Sequence, residues 1–210
     1  MSGNRWLQKI AERADHSQWY IERFRAMAAE GADLDGEARL IDAMASRGAR
    51  ILDAGCGPGR TGGYLHRAGH VVVGVDLDPA LIAAAEEDHP GPTWLAGDLS
   101  ELDLPARGIP EPFELIVSAG NVMAFLDPAT RRTVLARLRS HLAADGRAVV
   151  GFGADRDYPF EAFFEDVEAA GLEVQQRYAT WDLRPFDDRS GFLVAVLGHR
   201  SNAGSAGAKG

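Results

Sequence analysis

The chain has 210 residues, a formal charge of −9 and one cysteine. That length suits one domain with a real core, and 46% hydrophobic with 25% charged residues is the balance of a soluble globular protein. No window approaches about 18 consecutive apolar residues, so a membrane-spanning helix is not expected, and Cys56 alone excludes an internal disulfide or a cysteine metal cluster. The first residues lack a basic stretch followed by an apolar one, so no secretion signal is read there and a cytoplasmic protein is expected.

The charge is uneven. Residues 1–50 balance, whereas 51–200 hold a clear excess of acid, and no basic run is longer than Arg131-Arg132. Such a surface repels phosphate backbones and anionic lipid, so neither nucleic acid nor a membrane is an expected partner.

From the N-terminus, Trp19, Ile21, Phe24, Met27 and Ala28 recur at helical spacing and predict a helix over 17–30. Trp19 and Tyr20 read as core packing on it. A second helix is predicted over 37–46, then a strand over 49–54 and a helix over 59–68. Val71-Val72-Val73-Gly74-Val75 is the continuous β-branched run of a strand buried on both faces. Asp78 and Pro79 open the next helix as N-cap and first residue. Short strands follow over 93–96 and 113–118, a helix over 127–142 stopping near Gly146, a strand over 147–152 and a helix over 160–170. Strands over 172–178 and 192–200 close the pattern. No helix lies between that last pair, so the final strand is expected to join antiparallel. The expectation is a doubly wound α/β domain over 49–200: seven strands, mostly parallel, with helices on both faces. Residues 201–210, rich in Gly, Ala and Ser, read as a disordered tail.

The loop Asp53-Ala54-Gly55-Cys56-Gly57-Pro58-Gly59 carries the chemistry. Its glycines let a ligand lie against bare backbone, and the helix behind it offers free N–H groups to an anion. A dinucleotide fingerprint needs Gly or Ala at position 60, where this chain has Arg60. The actual spacing, an acid two residues before G-x-G-x-G, resembles the first motif of the class I S-adenosylmethionine-dependent methyltransferases, matched in full from Asp53 to Gly59. Asp76, ending the second strand before Leu77, and Asp98, ending the third before Leu99, stand where that family places its ribose and adenine acceptors. The resemblance implies that Asp53, Gly55, Cys56, Gly57, Gly59, Asp76, Leu77, Asp98 and Leu99 bind S-adenosylmethionine, with Ala119 and Gly120 beneath its sulfur. It also implies that residues 1–48 form a helical lid, from which Tyr20 is a candidate to reach the cofactor or the substrate. Cys56 itself reads as a packed small residue rather than a nucleophile, since no His partner adjoins it.

Asn121 reads either as a holder of the substrate nucleophile or as a turn residue. The segment 118–123 lacks the D/N-P-P-Y/F of amide and adenine N-methyltransferases. Ser118 and Gly120 replace the acids with which catechol-type enzymes hold magnesium, so no metal is expected. Asp155, Asp157, Tyr158, Trp181, Arg184 and Asp187 read as loop residues near the same edge. The implied reaction moves a methyl group to an oxygen or nitrogen of a small molecule, leaving S-adenosylhomocysteine. The rivals are a non-catalytic S-adenosylmethionine-binding protein and an NAD-dependent oxidoreductase.

Overall fold

The computed structural model describes residues 3–154 and 157–200. Its elements run α1 (Arg5–Glu12), α2 (His16–Ala29), α3 (Gly36–Met44), β1 (Arg50–Ala54), α4 (Arg60–Arg67), β2 (Val71–Asp76), α5 (Pro79–Asp88), β3 (Thr93–Ala96), β4 (Phe113–Ser118), α6 (Val122–Phe125), α7 (Arg131–His141), β5 (Leu142–Gly153), α8 (Phe160–Ala169), β6 (Leu172–Tyr178) and β7 (Phe192–His199).

The strands form one seven-stranded sheet in the order β3-β2-β1-β4-β5-β7-β6, with β7 antiparallel to both of its neighbours and the other pairings parallel. Alternation along each strand builds two cores. Ile51, Val72, Leu115, Val117, Val149 and Val196 face α3 and α4 with Ala38, Ile41 and Leu65. Leu52, Val73, Ile116, Val150 and Phe152 face α7 and α8 with Val134, Leu138, Phe163 and Val167. The chain winds outward from β1 to β3, then returns to place β4 on the other side of β1. Ligands bind at such a switch point, beyond the strands' carboxyl ends, and here the glycine loop leaves β1 beside residues 119–121 at the end of β4.

Several expectations are corrected. Residues 5–12 form a helix that the sequence reading left without structure; Asn4 Oδ1 caps it, accepting from Trp6 N at 2.9 Å and Leu7 N at 3.3 Å. A two-turn helix is marginal alone and depends on its cap and docking. The strand predicted from 147 begins at Leu142, which pairs with Phe113. Gly146 is no helix stop but a point of close backbone approach, where a Cβ would sit 2.9 Å from Phe113 O. Trp19 is 40% exposed and so not core.

Tyr158 lies in the loop before α8, as read, but is not among the residues that line the cavity over the switch point. It is fully buried against Phe152 and Phe163, donates its Oη to Asp166 Oδ2 at 2.7 Å and carries the Arg131 guanidinium 3.9 Å from its ring centre. Burial and the Asp166 carboxylate push the phenol well above its ordinary value. Tyr158→Phe is expected to lower unfolding free energy by about 1–2 kcal/mol, because one charge-assisted hydrogen bond is lost while Arg132 still pairs with Asp166 at 2.5 Å. Urea titration checks the loss, and S-adenosylhomocysteine affinity is expected to stay unchanged. Asp157 ion-pairs with Arg5 of α1. Asp155 and the predicted tail lie outside the described residues. Among those residues, no helix is long and apolar enough to cross a membrane.

Candidate active site

A cavity of about 630 Å³ lies over the switch point, floored by the strand-end loops and roofed by α1, α2 and the start of α3. Of the thirteen site residues read from the sequence, all but Gly59 line it: Asp53, Gly55, Cys56, Gly57, Asp76, Leu77, Asp98, Leu99, Ala119, Gly120, Tyr20 and Asn121. Gly59 sits behind the cavity wall, against Ala85 and Trp94.

The loop glycines adopt φ of 81° at Gly55, 54° at Gly57 and 81° at Gly59, the left-handed region where other residues are strained. They turn the chain sharply enough for the Gly55 and Cys56 amides to bond back to Val75 O at 2.8 and 3.1 Å. Gly57 leaves its backbone open: a Cβ there would meet nothing nearer than Tyr20 Cε1 at 3.9 Å, and one on Gly120 would meet nothing within 4 Å.

Each strand-end acid plays a different part. Asp53 is buried, and its Oδ2 accepts from Gly62 N in α4 at 2.9 Å; burial pushes its carboxyl up to about 7. Asp76 accepts from Gly57 N at 2.8 Å and from Asp78 N at 3.0 Å, and burial raises it too. Asp98 Oδ1 caps the following turn through Ser100 N at 2.8 Å. The Cys56 thiol, packed against Ile82, Ala85 and Trp94, is pushed well above its ordinary value by burial, which suits a packed residue and not a nucleophile. Asn121 Oδ1 accepts from Gly153 N at 2.8 Å, which ties the loop after β4 to the end of β5, while φ of 67° opens α6.

The sequence reading missed much of the roof. Trp6 and Lys9 from α1, and Phe24, Leu34 and Glu37 further on, also line the cavity. Arg60 mattered to the sequence reading only for what it excluded. Its guanidinium grips Glu37 at 2.9 and 3.0 Å and the Leu34 carbonyl, so the loop helix holds the roof. Trp6 meets Tyr20 edge-on at 5.2 Å, and His16 stacks on Trp19 at 5.5 Å. Burial, then the nearby charges of Lys9 and Arg13, lowers the His16 pKa and favours its neutral ring. Burial raises the Tyr20 phenol. Trp181, Arg184 and Asp187 are not among the lining residues; the Trp181 ring covers Gly151.

An open glycine backbone, two carboxylates at the ends of β2 and β3, and apolar Leu77 and Leu99 beside them fit a nucleoside with a charged tail. If Asp76 takes the ribose hydroxyls, Asp76→Ala is expected to weaken S-adenosylhomocysteine by about 1–3 kcal/mol in calorimetry; unchanged affinity would remove Asp76 from the site.

Known proteins agree with this geometry. A family profile described as a methyltransferase domain matches residues 51–146. The crystal structure of a TehB-like SAM-dependent methyltransferase from Corynebacterium glutamicum is 53% identical, superposes with a TM-score of 0.84, and is covered over 100% of its chain by 90% of this one. Malonyl-[acyl-carrier protein] O-methyltransferase of Pectobacterium atrosepticum is 35% identical over 97 residues, 46% of this chain and 37% of that protein. The 18S rRNA (guanine-N(7))-methyltransferase of Mus musculus is 30% identical over 130 residues, 58% of this chain and 45% of that one. The chain thus spans under half the length of these two curated relatives. It belongs to the class I S-adenosylmethionine-dependent methyltransferases.

Proposed function

We propose that the chain moves the methyl group of S-adenosylmethionine to an oxygen or nitrogen of a small-molecule acceptor. The observation that carries this reading is the roofed cavity of about 630 Å³, inside the roughly 300–1,000 Å³ range of small-molecule sites, which has to take both cofactor and acceptor. A relative that acts on rRNA raises the alternative of a nucleic-acid acceptor. The net charge of −9 speaks against it, as does the pairing of Arg60 with Glu37 on the cavity wall.

When bound, S-adenosylmethionine supplies a methyl already activated on a sulfonium. The protein's part is then alignment and exclusion of water, and alignment of this kind lowers a barrier by about 7–11 kcal/mol. Asp76 and Asp98 orient the nucleoside end. Ala119 and Gly120 form a bare floor on the β4 side, held by the Asn121–Gly153 bond. Trp6, Tyr20 and Phe24 cover the top with apolar surface. Incubating the protein with methyl-labelled S-adenosylmethionine and separate pools of metabolites and total RNA tests the reading. Label in a small molecule supports it. Label in RNA, or in nothing at all, overturns it.

A further inference from the structure

Three donors converge on one buried carboxylate beside the cavity. Asp78, 5% exposed, caps α5 with Oδ1, which accepts from Ala80 N at 2.9 Å. A cap needs only that oxygen. The other, Oδ2, accepts from the indole Nε1 of Trp6 in α1 at 2.9 Å and from the Ser17 hydroxyl in α2. Ser17 is buried as well. The Asp78 backbone N–H donates to Asp76 Oδ1, and Asp76 Oδ2 accepts from Gly57 N. One run of hydrogen bonds therefore leads from the glycine loop through Asp76 to Asp78 and into the roof. Trp6, at its end, packs against His16 at 4.9 Å, Tyr20 at 5.2 Å and Phe125 at 6.1 Å, all of which line the cavity.

We propose that Asp78 is a positioning residue that clasps α1 and α2 over the nucleoside and thereby sets how long the cofactor or its product stays bound. The proposal rests on the methyltransferase reading for the identity of that ligand. Before the roof can lift, Trp6 and Ser17 have to leave a shared, buried charge, and hydrogen bonds to an ionised acceptor are about twice as strong as neutral ones. That step lies on the way out, so weakening the clasp raises the off-rate far more than it changes the on-rate. A second link between α2 and α5, Arg25 with Asp88 and Glu87, lies exposed outside the cavity; surface pairs of that kind contribute little.

Trp6→Phe keeps an aromatic ring, smaller than the indole, and deletes the N–H, while Ser17→Ala deletes only the hydroxyl; both leave the α5 cap in place. Release of radiolabelled S-adenosylhomocysteine after a cold chase is the first readout, and hydrogen exchange over residues 5–29 the second. Each variant is expected to speed release by about tenfold and to raise exchange in 5–29 but not in β1, with Arg25→Gln within about twofold of the parent protein. Unchanged release in both variants overturns the proposal alone. So does an equal rise in Arg25→Gln, which would assign the effect to general docking of α2. A parent protein that takes up no S-adenosylhomocysteine overturns the methyltransferase reading and the clasp together.

Discussion

Gly59→Ala is expected to destabilise the protein by about 2–5 kcal/mol, a drop that urea denaturation reads directly. Two terms add. The residue sits at φ of 81°, which costs an L-residue roughly 1–2 kcal/mol. The new methyl would also lie 2.7 Å from Ala85 Cβ and 3.0 Å from Trp94 Cζ2, and overpacking of that kind typically adds about 1–3 kcal/mol. Neither neighbour yields easily. Ala85 is fixed in α5, and the Trp94 indole is held by its N–H bond to His89 O at 2.9 Å while its ring rests on Gly62 and Gly74. The strain would splay the loop from α4 and α5, so the affinity for S-adenosylhomocysteine is expected to fall in parallel. A variant as stable as the parent protein would contradict this account of the loop.

The second large effect is one of pH. Burial holds the Asp53 carboxyl at about 7 in the folded protein, against roughly 3.9 for an unfolded chain. Folding therefore keeps a proton that the unfolded chain gives up. The resulting stabilisation is fully present below about pH 4, is lost as pH rises to about 7, and changes no further above it. A difference of roughly three pK units corresponds to about 4 kcal/mol. Asp53→Asn cannot ionise and its side-chain oxygen can still accept from Gly62 N–H. Measured against that variant, the parent protein is expected to lose up to about 4 kcal/mol of relative stability between pH 4 and pH 8. Parallel profiles for the two proteins would show that Asp53 does not titrate in this range.

The parts of the molecule most legible in the sequence are those that depend on one residue's own chemistry. Alternate glycines before a helix demand a turned, bare loop, and the run 71–75, valine but for Gly74, reads as a strand covered on both faces. The antiparallel last strand followed from the pattern of the link before it, since 179–191 shows no helix that could serve as a crossover. What stayed hidden depends on partners far away in the chain. Asp78 looks like an ordinary N-cap until Trp6 and Ser17 arrive at its second oxygen, 72 and 61 residues upstream. Tyr158 reads as a polar loop residue until Asp166 and Arg131 supply the partners that allow its burial. Arg60 marks only a broken pattern until Glu37 closes on it. Of the roof, it was α1 that escaped, for the same reason: a two-turn helix is marginal without the contacts it docks on.

Cofactor choice is the claim on which the rest depends. Isothermal titration of the protein with S-adenosylhomocysteine and, separately, with NAD tests it most directly. The account predicts saturable one-to-one binding of S-adenosylhomocysteine and no measurable binding of NAD. Tight NAD binding with no uptake of S-adenosylhomocysteine would contradict it.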